Sequence, residues 1–223
     1  SKDAAAPKKD IDRAFQWFKE NPQVEEVLIT GGDPLILSTL VIKEFCARFS
    51  RMSHIKRIRL GPRTPVVLPQ RINSRLADAI ARFHEPGVRE VAVATHFEHV
   101  YEVTPEAMKA VQMFKRRGIS VYNQVVFTME NSRKFELAAL RRLLRLIGVD
   151  NYYTFNTKGK EETRQYRVPI ARILQEAKEE ARLLPGLTRT DEPVYNVPRL
   201  GKNYLRAGQH HSLITILPDG RRV

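Results

Sequence analysis

The sequence predicts an α/β fold in which parallel strands alternate with helices. Short β-branched runs recur about every 30 residues, roughly the length of one βαβ step, and amphipathic segments lie between them. The runs are centred near residues 27, 58, 91, 121 and 152. Because five strands are fewer than the eight of a closed barrel, the periodicity allows either an open doubly wound sheet or a partial barrel.

Helix signals separate the predicted strands. Residues 11–20 place apolar side chains on one face before the first strand. Thr104, followed by proline, is typical of a helix N-cap, and Gly118 ends that helix. A leucine stripe over residues 137–147 predicts the next helix, and residues 170–184 predict another.

The character of the chain changes after Leu184. Proline and glycine punctuate residues 185–208, so long helices are not expected there. Residues 212–223 carry Pro-Asp-Gly after an apolar run, which predicts a β-hairpin. We therefore divide the chain into a strand-and-helix domain, residues 1–184, and a C-terminal extension, residues 185–223.

The charge balance favours a ligand or partner that carries negative charge. The chain has 38 lysines and arginines against 25 aspartates and glutamates, a formal net charge of +13. Such a surface attracts RNA through counterion release. The basic residues are, however, spread over several segments without interleaved aromatic residues. They form either solvated helix faces and strand edges or a phosphate-binding surface.

Cysteine usage and hydropathy predict a cytoplasmic protein. Cys46 is the single cysteine, which excludes a disulfide framework and a metal site built from cysteines of this chain alone. Its apolar neighbours predict a buried position. Residues 1–10 lack the apolar stretch of a signal peptide, and no apolar run approaches the roughly 18–20 residues that cross a bilayer. We therefore expect no association with a membrane.

Small and polar residues follow each predicted strand, where α/β folds bind their ligands. Gly31 and Gly32 let the backbone approach a ligand, and Asp33 can accept hydrogen bonds from an ammonium group or a ribose. The same residues also make an ordinary turn. The five clusters are residues 30–34, 61–65, 95–97, 123–124 and 156–158.

The arginine and the histidines in and near these clusters each have alternative interpretations. The guanidinium of Arg63 suits a phosphate or a carboxylate, or a salt bridge to a neighbouring loop. His96 and His99 have the spacing of metal ligands, and His210 and His211 could add to them. No carboxylate or cysteine completes the set, so we predict no metal site from these residues.

Four stretches carry a family resemblance. They are VLITGGDPL at residues 27–35, IRLGPRTPVVLPQRI at 58–72, THFEH at 95–99 and NQ at 123–124. In this order they resemble the lysine 2,3-aminomutase family of radical S-adenosylmethionine (radical SAM) enzymes. The resemblance spans residues 10–223 and is looser after Gly148.

The resemblance implies a partial (βα)6 TIM-like barrel of the radical SAM type, with its first strand missing here and a C-terminal loop and β-hairpin extension. In the family, a Cys-x-x-x-Cys-x-x-Cys loop after the first strand holds a [4Fe-4S] cluster. This sequence lacks those ligands, so we expect it to be a piece of a longer enzyme. The implied enzyme is an isomerase that uses S-adenosylmethionine, a 5′-deoxyadenosyl radical, pyridoxal phosphate and an external electron donor.

The resemblance also assigns cofactor-binding residues. Gly31, Gly32 and Asp33 match the motif that holds the methionine amino group of S-adenosylmethionine. Gln124 matches a position that faces the ribose. His96, in the THFEH motif, is assigned to the same cofactor site.

Two further residues match positions that bind pyridoxal phosphate. Arg63 matches the arginine at the phosphate group. Lys202 resembles the catalytic lysine that binds the cofactor, although only Gly201 remains of the glycine run that precedes it in the family. The alternative for Lys202 is an ordinary surface lysine in a loop.

Lys158 bears on the substrate. Lysine-specific members place an aspartate shortly after a Tyr-Tyr strand, where this chain has a lysine after residues 152–153. A lysine repels an ammonium group and attracts a carboxylate, which favours glutamate or another acidic amino acid. The alternative is a solvated Lys-Gly-Lys turn.

Three functions follow from these observations. The first is an aminomutase that moves an amino group between adjacent carbons of a small amino acid, expected as a homo-oligomer. The second is a radical SAM enzyme that modifies a lysine on a translation factor, with an acidic protein partner. The third is a basic RNA-binding α/β module, which leaves the strand-end clusters unexplained.

Overall fold

The computed structural model describes residues 7–157, 161–197 and 201–205, which form a curled seven-stranded sheet with helices. Strands β1 to β6 are parallel and lie side by side in chain order, and β7 is antiparallel to β6. The predicted α/β class and partial barrel are confirmed. The elements are α1 Lys8–Glu20, β1 Glu26–Ile29, α2 Thr39–Ser50, β2 Arg57–Leu60, α3 Thr64–Val67, α4 Ser74–Ala81, β3 Glu90–Thr95, α5 Pro105–Lys115, β4 Ser120–Phe127, α6 Glu136–Leu146, β5 Asp150–Asn156, α7 Ile170–Glu180, β6 Glu192–Val197 and β7 Gly201–Tyr204.

The helix boundaries follow the local signals in the sequence. The Thr104 hydroxyl accepts a hydrogen bond from the Ala107 amide at 3.1 Å and caps α5. Gly118 has φ 76° after the same helix, a conformation that glycine adopts without strain. The helix α7 ends at Glu180 rather than at Leu184. Among the described residues, no helix is long and apolar enough to cross a membrane.

Alternation along the strands gives the sheet two different faces. One face packs against the helices in a single apolar core that includes Val27, Ile58 and Val121. Cys46 lies in this core with no exposed surface, and burial raises the pKa of its thiol to about 12. The other side, called the open face here, carries the alternate residues of the same strands.

Two strands, β6 and β7, were not identified by the sequence analysis. The sequence of β6 begins Glu-Pro, and Pro193 weakens a strand pattern because it has no amide hydrogen to donate. Even so, β6 pairs with β5 and buries Val194 completely. The strands β6 and β7 therefore continue the sheet, while the domain boundary after residue 184 stays a prediction. The predicted hairpin at 212–223 lies outside the described residues.

A buried ion cluster joins α6 and α7 to the strands β5 and β6. Arg141 is almost fully buried and pairs with Glu180 of α7 and, at 2.7 Å, with Asp191 just before β6. It also donates to the hydroxyl of Thr154 in β5 at 2.9 Å. Since buried charges are tolerated when they are paired and hydrogen-bonded, Arg141 neutralises two carboxylates inside the fold.

A β-bulge interrupts the pairing of β4 with β5. Asn123 pairs with Asn151, but Gln124 pairs with Tyr153, so Tyr152 is an extra residue in β5. The rings of Tyr152 and Tyr153 have centroids 3.8 Å apart. The bulge therefore turns two consecutive tyrosines toward the open face, where regular alternation would allow one.

Candidate functional site

The candidate site lies where β1 to β4 end, because parallel strands bring their carboxyl ends to one edge of the sheet. Gly31 and Gly32, after β1, have φ values of 96° and 101°. No atom lies within 4 Å of the position that a Cβ would occupy at either glycine. Their exposed backbone can therefore approach a ligand closely, and the conformation requires glycine.

Asp33 joins the loop after β1 to the loop after β2. One carboxylate oxygen accepts the Leu35 amide at 3.0 Å, which caps a short turn. The other accepts the Arg63 amide at 2.7 Å. The turn that was the alternative interpretation of this motif is present, and the same carboxylate also fixes the neighbouring loop.

Arg63 makes the salt bridge to a neighbouring loop that was one of its two interpretations. Its Nη2 lies 2.7 Å from Oε1 of Glu102. The side chain remains 48% exposed, so the guanidinium is still open to an anion from solvent. Glu102 uses its other oxygen to accept the amide of Glu98 at 2.6 Å.

Glu98 extends this connection from β3 to β4. Its Oε2 accepts the Val126 amide at 2.7 Å. Asn131 donates to the carbonyl of Glu98 at 3.0 Å and to that of Val126 at 2.9 Å. We call this continuous set, from Asp33 through Arg63, Glu102 and Glu98 to Asn131, the strand-end network.

The electrostatics of Glu98 and His96 differ from those of the free side chains. Burial raises the pKa of Glu98 to about 7. Burial lowers the pKa of His96, although a hydrogen bond to the backbone of Gln124 opposes this shift. Nδ1 of His96 lies 3.9 Å from Oε1 of Glu98. A carboxyl group with a raised pKa and an imidazole with a lowered pKa thus face each other at the end of β3.

Asn123 and Gln124 serve different faces of β4. The Asn123 side chain is buried and exchanges two hydrogen bonds with the backbone of Phe97, at 2.7 and 3.0 Å. Gln124, the next residue, is partly buried and belongs to the open face. Asn123 is therefore structural, and Gln124 is the member of the pair that a ligand can reach.

Lys202 lies on an aromatic surface of the open face. Its Nζ is 4.4 Å from the ring centroid of Tyr153 and 5.5 Å from that of Phe155. The hydroxyls of Tyr153 and Tyr204 are 3.3 Å apart. Because Tyr153 pairs laterally with Gln124, the structure places Lys202 on the same side of the sheet as Gln124.

Ion pairs cover the amino-terminal end of the open face. Glu26, Arg57 and Glu90 lie side by side on three strands, and Arg57 contacts both carboxylates at 3.0 and 2.6 Å. Arg59 lies 2.7 Å from Glu26 and donates to the Tyr152 hydroxyl at 3.2 Å. Two arginines and two glutamates balance in charge there, which leaves the carboxyl end of the face for a ligand.

The described residues offer no metal centre. No group of three or more histidines, cysteines, aspartates or glutamates in the described ranges is arranged to hold a metal ion. Cys46 does not fit as a cluster ligand, because its thiol is buried among helices and its pKa is raised by burial. Lys158, the predicted substrate residue, lies outside the described residues, as do His210 and His211.

Sequence reasoning missed several residues that shape the site. Glu98 was inside the THFEH motif but was not singled out, and its partners Glu102 and Asn131 lie in separate loops. Tyr153 was seen only as part of a strand. The sequence signal for Glu98 was a carboxylate between Phe97 and His99 of the THFEH motif.

Comparison with known proteins gives related sequences. An uncharacterised KamA family protein of Methanocaldococcus jannaschii is 48% identical over 213 residues, 96% of this chain and 34% of the relative. An L-lysine 2,3-aminomutase of Fusobacterium nucleatum is 33% identical over 178 residues, 78% of this chain and 40% of that enzyme. A glutamate 2,3-aminomutase of Clostridioides difficile is 30% identical over 169 residues, 75% of this chain and 39% of that enzyme. No protein-family model matches the chain.

Solved structures show the same fold. Streptococcus suis SuiB bound to S-adenosylmethionine superposes with a TM-score of 0.57 at 15% identity, over 87% of this chain and 44% of SuiB. A radical SAM methyltransferase from Sphaerobacter thermophilus superposes with a TM-score of 0.51 at 17% identity, over 85% of this chain and 56% of that enzyme. The chain spans between about a third and two fifths of the length of the related sequences.

Proposed function

Because this chain belongs to the lysine 2,3-aminomutase family of radical SAM enzymes, we propose that it is the barrel part of an enzyme that moves an amino group between adjacent carbons of an amino acid. The observations that support this proposal are the exposed glycine pair, Gly31 and Gly32, after β1, and the position of Gln124 and Lys202 on the open face of the same sheet. An RNA-binding module would not require these residues together.

The residues after β1, β3 and β4 fit S-adenosylmethionine. The open backbone of Gly31 and Gly32 and the carboxylate of Asp33 suit the cationic methionyl amino group. His96 and Gln124 would contact the rest of the molecule from the neighbouring strands. When bound and reduced, this cofactor supplies the group that removes a hydrogen atom from the substrate.

Two residues fit pyridoxal phosphate. The amine of Lys202 is exposed on the aromatic surface, where it can meet an aldehyde. Arg63 is half exposed and would add a cation for the phosphate beside its bond to Glu102. Pyridoxal phosphate supplies an aldehyde for the substrate amine, and these residues would hold and orient it.

The substrate that we propose is an acidic amino acid. The support is the lysine at position 158, which would attract a second carboxylate. A relative in the comparison is a glutamate 2,3-aminomutase, while others act on L-lysine. An external electron donor would reduce the [4Fe-4S] cluster that the family uses.

The test uses the full-length protein with iron and sulfide reconstituted. With S-adenosylmethionine and a reductant we expect 5′-deoxyadenosine, and with glutamate rather than lysine we expect the β-amino acid product. Absence of 5′-deoxyadenosine from cluster-loaded protein would contradict the proposal. Turnover of a protein lysine instead of free amino acids would favour the translation-factor alternative.

A glycine substitution tests the cofactor position. Gly32→Ala places a Cβ on a residue at φ 101°, which strains the backbone. We expect S-adenosylmethionine to bind about tenfold more weakly, measured by equilibrium dialysis of the labelled cofactor. Gly186→Ala is the control, because Gly186 has no positive φ and open space around it. Equal affinities for the two variants would contradict the assignment.

A further inference from the structure

We infer that Glu98 is a positioning residue whose ionised carboxylate ties the ends of β3 and β4 together around the S-adenosylmethionine site. The inference depends on the proposed function, because it concerns the same site. Neither the motif nor the comparisons assign a role to Glu98.

Three different atoms of Glu98 make connections between elements. Its carboxylate accepts the Val126 amide of β4, and its own amide donates to Glu102. Its carbonyl accepts from Asn131 in the loop after β4. Glu102 also forms a salt bridge with Arg63, whose amide donates to Asp33. Removal of the Glu98 carboxylate would therefore loosen the attachment of β4 to the strand-end network.

The carboxylate also faces the candidate ligand residues. Nδ1 of His96 lies 3.9 Å from Oε1 of Glu98, and His96 bonds to the backbone of Gln124. Glu98 thus positions the two residues that we place against S-adenosylmethionine. It reaches Gln124 through the backbone of β4, and it contacts His96 at the imidazole. This indirect arrangement makes it a positioning residue rather than a catalytic one.

The charged groups around Glu98 set the pH at which it ionises. Arg63, from the loop after β2, favours the carboxylate, while Glu102 from its own loop opposes it. His96 at the end of β3 adds positive charge only when it is protonated. Val126 and Asn131, which contact Glu98 from β4 and its loop, carry no charge. Burial outweighs Arg63 and brings the pKa of Glu98 to about 7.

Ionisation should strengthen cofactor binding. A carboxylate accepts a backbone amide in a charge-assisted hydrogen bond, which is about twice as strong as a neutral one. S-adenosylmethionine carries a sulfonium and an ammonium group, so a nearby negative charge also attracts it. As pH rises through about 7, Glu98 gains its charge and the site becomes more favourable.

The experiment compares dissociation constants for S-adenosylmethionine in the full-length reconstituted protein and in Glu98→Gln, between pH 5.5 and 8.5. Glutamine keeps the size and an acceptor oxygen but cannot ionise. We expect the variant and the wild type to bind almost equally at pH 5.5 and the variant to bind about fivefold more weakly at pH 8.5. The ratio of the two constants cancels titration of the ligand itself.

Two further variants sharpen the result. Glu130→Gln changes an exposed glutamate in the loop after β4 and should leave the ratio at one throughout. Glu98→Asp keeps a carboxyl group and should retain a pH-dependent ratio with a shifted midpoint, which a loss of folding would not produce.

The outcomes separate the two claims. If the wild type does not bind S-adenosylmethionine at any pH, the proposed function fails. If it binds, but the ratio for Glu98→Gln does not change with pH, the inference about Glu98 is wrong and the proposed function stands.

Discussion

Burial of the Glu98 carboxyl group couples the stability of the fold to pH. Its pKa is about 7 in the folded protein against 4.5 for the free side chain. Between these values the folded state holds a proton that the unfolded state has released. The contribution of Glu98 to the free energy of unfolding therefore declines as pH rises from about 4.5 to 7, and the charged carboxylate is least favourable above pH 7.

Glu98→Gln should remove this pH dependence. We expect the wild type to lose more stability than the variant between pH 5 and pH 8, because only the wild type must bury a charge at the higher pH. Urea unfolding at both pH values measures the difference. Identical changes in the two proteins would show that Glu98 does not titrate in this range.

Lys202 is the residue on which the proposed use of pyridoxal phosphate rests. Reduction with borohydride should link pyridoxal phosphate to Lys202 in the wild type, located by peptide mass spectrometry. Lys202→Ala should lose that label. Lys134→Ala is the matched control, since Lys134 also lies near an aromatic ring, at 5.0 Å from Phe135, but on the helix side beside Glu179. A label retained in Lys202→Ala would refute the assignment.

The strand β5 contacts different parts of the molecule with its two faces. The bulge at Tyr152 presents two tyrosines to the open face and keeps Tyr153 beside Gln124. On the other side of the strand, Thr154 contacts the ion cluster of Arg141. The strand β5 therefore connects the candidate site to the buried ion cluster of α6 and α7.

Arg141→Met should strongly lower the free energy of unfolding. The change removes the guanidinium that pairs with the buried carboxylates of Glu180 and Asp191, and loss of one partner of a buried ion pair typically costs about 3–5 kcal/mol. Arg142→Met is the control, because Arg142 is exposed and makes one hydrogen bond to a backbone carbonyl, worth about 1 kcal/mol or less. Urea unfolding measures both, and equal losses would contradict the role of the cluster.

On the scale of the whole molecule, the net charge of +13 includes arginines that are already paired with carboxylates. Arg57, Arg59 and Arg141 are paired with carboxylates inside or along the sheet. Arg59 and Arg141, whose side chains are largely buried, are therefore not available to RNA. Arg57 and Arg63 are both half exposed, so each combines an ion pair with access to an anion from solvent.

The sequence by itself determined the alternation of strands and helices, the clusters at the strand ends and the family. These are local patterns, since the period of apolar residues and the glycines of a turn act within a few residues of the chain. Parallel topology then requires the clusters to meet at one edge. Even the burial of Cys46 followed from its apolar neighbours in a helix.

Only the tertiary structure decided which partners the site residues take. Asp33 bonds to Arg63, Arg63 to Glu102 and Glu98 to Val126, across separations of 30, 39 and 28 residues. Such bonds depend on strand register and loop conformation, which side chains from several elements set together. For the same reason the bulge at Tyr152 and the strand β6, with its proline, could not be recognised from periodicity: both are stabilised by neighbours that are distant in the chain.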